Sequence, residues 1–216
     1  MDSNEEHRAT LSGKEAVSRV IAAAAQGNGF MVYDDRGGRG TLLNYPASTI
    51  KRAHVSQLMS LGSGLVSVAV DQSTAVRCGL PLMMGLHQSS AGPAFTVSVN
   101  ARWGRHYGVS EAERWQTIRV LANPLSSSFD LVKPGHVFPI LVDPNGLLGR
   151  QGLAEASADL VRWAKLPPIV AMSLMTDGCG EIMALKEVWQ VSQALSTPVV
   201  ALSSVIDYRL WTVMSR

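Results

Sequence analysis

The chain has 216 residues, 46% of them hydrophobic, which is enough to bury one good core, so a single globular domain over residues 13–216 is expected behind a frayed tail at 1–12. Nineteen Lys and Arg stand against seventeen Asp and Glu for a formal charge of +2, and neither sign gathers into the block that grips nucleic acid. The longest apolar runs fall far short of the roughly 20 residues that span a bilayer, the first ten residues lack the apolar centre of a secretory signal, and Cys78 and Cys179 have no metal-ligand spacing, so the expectation is a cytoplasmic protein with neither nucleic acid nor membrane as partner.

Ser12-Gly-Lys-Glu15 has capping-box spacing, and Val17, Val20, Ile21 and Ala24 recur at helical intervals, so a helix is predicted over 13–26. Phe30-Met-Val-Tyr33 reads as a buried strand feeding a loop, Arg36 to Thr41, whose glycines and two arginines suit either a surface turn or an anion cradle. A helix over Val55 to Leu61 and a strand over Leu65 to Val70 follow, and Phe95 to Val99 is another strand by alternation. Ser110-Glu-Ala-Glu113 is a second capping box, opening a helix that Pro124 ends. Pro134 to Pro139 is bracketed by prolines and presents His136 at a fixed place. Gly152 to Lys165 is a helix, and Ile169 to Met175 and Val199 to Leu202 are strands. Strands and helices thus alternate throughout, the pattern of a layered α/β domain.

Eight segments in order resemble the 3,4-dihydroxy-2-butanone 4-phosphate synthase family of riboflavin biosynthesis: Gly29-Phe-Met-Val-Tyr-Asp-Asp35, Pro46-Ala47, Gly62-Ser-Gly-Leu65, Gly79-Leu-Pro-Leu-Met83, Phe95-Thr-Val-Ser98, Gly108-Val-Ser-Glu-Ala-Glu-Arg114, Lys133-Pro-Gly-His-Val-Phe-Pro139 and Arg150-Gln-Gly-Leu-Ala-Glu-Ala156. The resemblance implies a single three-layer domain around a mixed, twisted sheet, and a homodimer with sites at the subunit interface. It also implies an enzyme that takes ribulose 5-phosphate, releases one carbon as formate, and holds magnesium through a loop glutamate and a histidine.

Against that pattern several positions have changed. The family's acidic loop is replaced by Arg36-Gly-Gly-Arg-Gly-Thr-Leu-Leu43, the metal-binding histidine by Leu153, and the threonine beside it by Ala154. A family histidine and cysteine correspond to Leu61 and Ser67, a late-strand glutamate to Ser173, and a Thr-Thr pair to His106-Tyr107. The expectation is therefore no metal, no cofactor, and a largely apolar pocket formed with Leu42, Leu43, Leu61, Tyr107, Leu153 and Ala154. Candidate catalytic groups are Glu155, His136, His106 and Tyr107. Candidate substrate-binding residues are Arg150, Asp34, Asp35, Leu153, Leu61, Ser67 and Arg114, with Arg36 and Arg39 as further cations for an anion. For Glu155 an acid/base role and a structural pairing with Arg150 or Arg114 both stand. The function read from these changes is a repurposed, metal-independent isomerase, cyclase or lyase of specialised metabolism rather than an authentic synthase. Two alternatives stand beside it, a non-catalytic binder of a metabolite or homologous partner, and a residual synthase.

Overall fold

In the computed structural model, residues 12–62, 64–83, 92–103 and 107–215 are described. The expected N-terminal tail falls almost wholly outside them. Helix α1 (Gly13–Ala25) leads to β1 (Phe30–Tyr33) and β2 (Thr41–Pro46), then α2 (Arg52–Leu61), β3 (Val66–Val70) and the short α3 (Gln72–Arg77). Next come β4 (Ala94–Phe95), β5 (Val99–Ala101), α4 (Glu111–Ala122) and the long β6 (Leu131–Leu141). The chain ends with α5 (Leu153–Trp163), β7 (Val170–Leu174), α6 (Leu185–Leu195), β8 (Val199–Ala201) and α7 (Leu202–Met214).

The strands form one mixed sheet in the order β4-β6-β3-β7-β2-β1-β8, with β5 also paired to β6. β1 runs parallel to β8 and β3 to β6, while β2 lies antiparallel to both β1 and β7. The period of two along each strand divides the core in half. Met31, Leu43, Val66, Val68 and Ala171 face a core closed by Val55 and Leu58 of α2, Ile118 and Leu121 of α4 and Val188 of α6. Phe30, Val32, Ala69, Val170 and Met172 face the opposite core, closed by α1, α5 and α7 through residues such as Val17, Leu160 and Val205. The result is the expected three-layer α/β domain, in which each fully buried leucine or isoleucine contributes about 1.5–3 kcal/mol.

Local chemistry explains where the elements start. At α4 the box closes as predicted: Ser110 Oγ accepts from the Glu113 N–H at 3.4 Å, and Glu113 Oε2 accepts from the Ser110 N–H at 3.2 Å. At α1 it does not close. The Ser12 side chain makes no cap hydrogen bond, and the Gly13 N–H donates instead to Ser204 Oγ of α7 at 3.0 Å, so a tertiary partner takes the place of the local one.

Three segments differ from expectation. β2 lay in a stretch with no predicted strand, because Asn44 and Pro46 interrupt its apolar residues; a neighbour on each side supplies its ladder. The strand expected over Phe95 to Val99 is split into β4 and β5. It faces Pro139 of β6, which offers a carbonyl to the Thr96 N–H at 2.9 Å but has no N–H to return. The proline-bracketed segment around His136, to which the sequence assigns no element, is the middle of β6. No helix among the described residues is long and apolar enough to cross a membrane.

Candidate active site

A cavity of about 300 Å³ opens on the face covered by α1, α5 and α7. Its walls come from strand pairings: Leu42 of β2 sits opposite Leu174 of β7, Ser67 of β3 opposite Met172 of β7, and Phe95 of β4 opposite Ile140 of β6. The first turn of α5 closes it with Leu153, Ala154 and Glu155, and Arg39 and Arg150 stand at its polar edge.

Glu155 is the carboxylate in this lining and is only 1% exposed. Its Oε1 accepts from Arg150 Nε at 2.8 Å, from Arg150 Nη2 at 2.5 Å and from the Asp143 N–H at 3.3 Å. Arg150 is fixed in turn by donating from Nη2 to the Leu141 carbonyl at 2.6 Å. The other oxygen, Oε2, faces Gly152, where an added Cβ would come within 2.3 Å of it. Glycine at that position is what lets the carboxylate sit against the backbone of its own N-cap. The positive end of the α5 dipole also favours an anion there. Both readings of Glu155 thus meet in one geometry: it is ion-paired with Arg150, and it borders the cavity.

Asp34, at the end of β1, is buried and gathers the loop that follows. It accepts from the N–H groups of Arg36, Gly37 and Arg39 at 3.1, 2.9 and 3.3 Å and from Arg39 Nε at 2.9 Å. Burial pushes its carboxyl upward, but the Gly37 amide, the Arg39 guanidinium and the other amides outweigh that and hold it below the usual carboxylate range. Asp35 turns away from the cavity and caps α7 through the Ser203 N–H at 3.0 Å.

The remaining sequence candidates scatter. Leu153, Ser67, Arg150 and Glu155 line the cavity. Leu61 does not, because it packs in the core on the other side of the sheet, as Leu43 does. Arg114 is buried beside α2 and donates from Nε to the Val109 carbonyl at 3.0 Å, and from Nη1 to the Gly64 carbonyl. His136 lies on β6, with its N–H donating to Asn100 Oδ1 at 2.8 Å and its ring Nδ1 3.3 Å from Asn100 Nδ2, away from the residues that line the cavity. Tyr107 is 86% exposed. His106 lies outside the described residues. Phe95, Ile140, Met172 and Leu174 line the cavity but are not singled out as site residues in the sequence, since only strand register brings them together.

The resemblance implies magnesium, and the donors present do not suit it. Among the described residues no group of three or more His, Cys, Asp or Glu is arranged to hold a metal ion. Glu155 in the lining, and Asp34 inside the adjoining loop, each hold a guanidinium that a hard cation would have to displace.

The sequence model for 3,4-dihydroxy-2-butanone 4-phosphate synthase matches residues 18–208. A protein of that name from Desulforamulus reducens is 34% identical over 197 residues, covering 90% of each chain, and one from Histophilus somni is 34% identical over 199 residues, covering 91% of this chain and 92% of its own. The crystal structure of the Candida albicans synthase superposes with a TM-score of 0.80 at 27% identity, covering 89% of this chain and 96% of its own. A synthase crystallised with two magnesium ions shares the fold, with a TM-score of 0.81 at 24% identity over 89% of this chain and 95% of its own.

These likenesses overturn the expectation of a repurposed isomerase, cyclase or lyase of specialised metabolism that is not an authentic synthase. A third of the residues are kept over nine-tenths of the chain by proteins that carry the synthase name, and the substitutions that prompted the expectation do not form one surface, since Leu43, Leu61 and Tyr107 lie away from the cavity. This chain belongs to the 3,4-dihydroxy-2-butanone 4-phosphate synthase family.

Proposed function

We propose that the protein is a synthase that forms 3,4-dihydroxy-2-butanone 4-phosphate, acting on the ribulose 5-phosphate that the resemblance implies. The observation that carries this reading is Glu155, a buried carboxylate on the wall of a 300 Å³ cavity and oriented by Arg150. Enolisation of a sugar phosphate needs a base beside a carbon atom, and Glu155 Oε2, the oxygen not taken up by Arg150, is the atom to which that proton moves. The apolar walls exclude water from the carbanion that forms. Formate released from ribulose 5-phosphate by the purified protein, with magnesium supplied, is the expected result. Its absence at every protein concentration tried would end this reading.

A second reading is favoured by the lining itself, where Leu42, Leu65, Phe95, Ile140, Leu153 and Met172 surround that lone acid. On this reading the protein binds a metabolite without converting it. Saturable ligand binding with no formate distinguishes the two.

The same proposal takes the protein as a homodimer with sites at the subunit interface, supported by the exposed Trp103, Tyr107, Phe129 and Val132 on or beside β5 and β6. It gives His136 and Tyr107 a route to a neighbouring cavity. Sedimentation at twice the 23.1 kDa chain mass is expected, and a monomer at micromolar concentration would refute it.

A further inference from the structure

Two acids four residues apart on one face of α5 hold two backbone amides four residues apart in the segment ahead of that helix. Glu155 Oε1 accepts from the Asp143 N–H at 3.3 Å, and Asp159 Oδ2 accepts from the Leu147 N–H at 3.1 Å. Between them the chain enters a single 3₁₀ turn over Gly146–Leu148. Gly146 has φ +61°, and an added Cβ there would come within 2.4 Å of Asp159 Oδ1. The Arg150 N–H in turn donates to the Gly146 carbonyl at 3.1 Å. The backbone of the arginine that orients Glu155 is therefore hung on the turn that Asp159 holds.

Asp159 is 0% exposed and takes no part in the cavity lining. The cations around it come from two helices. Arg162 of α5 donates from Nη1 to Oδ1, and Arg209 Nε of α7 lies 3.8 Å from Oδ2. Arg209 Nη2 also donates to the Asn145 carbonyl at 3.5 Å, so α7 is tied to the same turn. A hydrogen bond from a main-chain amide to a buried carboxylate is a strong anchor, because charge assists it where water does not compete. Such an anchor bears on catalysis, since a displacement of about 1 Å in a positioned group costs on the order of 10²-fold in rate.

We propose that Asp159 is a positioning residue: through the Leu147 N–H and the Gly146–Leu148 turn it sets where the Arg150–Glu155 pair stands at the cavity. The proposal rests on the synthase reading for what that pair does. It is tested by formate release per folded molecule and by amide hydrogen exchange over residues 143–150. Asp159→Ala is expected to lower kcat by about tenfold to a hundredfold with a smaller change in KM. The Leu147 and Asp143 amides are expected to exchange about tenfold faster or more. Asp159→Asn, which keeps one oxygen for the Leu147 N–H, is expected to act in the same direction and less. Gly146→Ala leaves the acid and its charge in place but pushes the turn off it, and the same pattern is expected there even where Asp159→Ala does not fold. Arg162→Gln removes a partner of Asp159 that does not touch the turn, and is expected to lower Tm with kcat unchanged. A kcat per folded molecule that is unchanged in Gly146→Ala and Asp159→Ala, or that falls as far in Arg162→Gln, overturns the proposal. If the unaltered protein releases no formate, the synthase reading fails and exchange alone decides this one: faster exchange at both amides upholds the anchor, and unchanged exchange removes it.

Discussion

Replacing Glu155 with glutamine is expected to lower the rate of formate release from ribulose 5-phosphate by a factor of about 10²–10⁴, the usual contribution of a positioned acid or base. The substitution keeps the size of the side chain and an oxygen to accept from Arg150, but it removes the charge and the basic oxygen that border the cavity. It also leaves the largely buried Arg150 guanidinium without its counter-charge, and breaking a buried pair from one side costs about 3–5 kcal/mol. Rate and stability must therefore be read separately, by active-site-normalised turnover and by thermal melting of the same sample. A lower melting temperature with turnover per folded molecule unchanged would assign Glu155 to the fold alone.

The second large effect concerns stability. An alanine Cβ at Gly135 would lie 2.0 Å from the Val99 carbonyl carbon and 2.3 Å from the Asn100 nitrogen, all backbone atoms of β5 that have no rotamer through which to escape. β5 must move off β6, taking with it the Asn100 side chain that holds the His136 N–H. Overpacking of this kind costs about 3 kcal/mol, which for a domain of this size is a fall of roughly 10 °C in Tm. A Gly135→Ala protein that melts with the original would mean that β5 is far more loosely held than its pairing indicates. Activity gives an independent reading: if His136 reaches a neighbouring cavity, the variant loses turnover at temperatures where it remains folded.

Much of this architecture was legible where local chemistry decides the structure. α4 follows from Ser110 and Glu113, which satisfy each other's backbone donors within one turn. β1 and β3 follow from short β-branched or aromatic runs between glycines and polar residues. What was hidden depends on partners distant in sequence. β2 becomes a strand because β1 and β7 flank it, and the cavity exists because register sets Leu42 against Leu174 and Phe95 against Ile140. The functional misreading has the same origin. Apolar replacements at Leu43, Leu61 and Leu153 read alike along the chain, yet the first two fill the core beyond the sheet and only the third meets a ligand-sized space. Arg39 was seen only as one of two loop cations; its anchoring by Asp34 is what singles it out.

Helix α5 is buried without interruption from Ala154 to Val161, and one turn beyond Glu155 a second acid, Asp159, is tied to the Leu147 N–H, Arg162 and Arg209. Segments packed in this way open only when the whole domain does, and they are the last to exchange their amide protons with solvent. Glu155 is mounted on such a segment and Arg150 directly precedes it, whereas Arg36 and Arg39 ride on the surface loop between β1 and β2. Any adaptation to a ligand must then come from the loop side, with the carboxylate as the stationary half of the pair. Sequence drift in such a protein can retune what enters the mouth at little cost to folding, but the acid itself cannot be moved without loosening the helix that carries it.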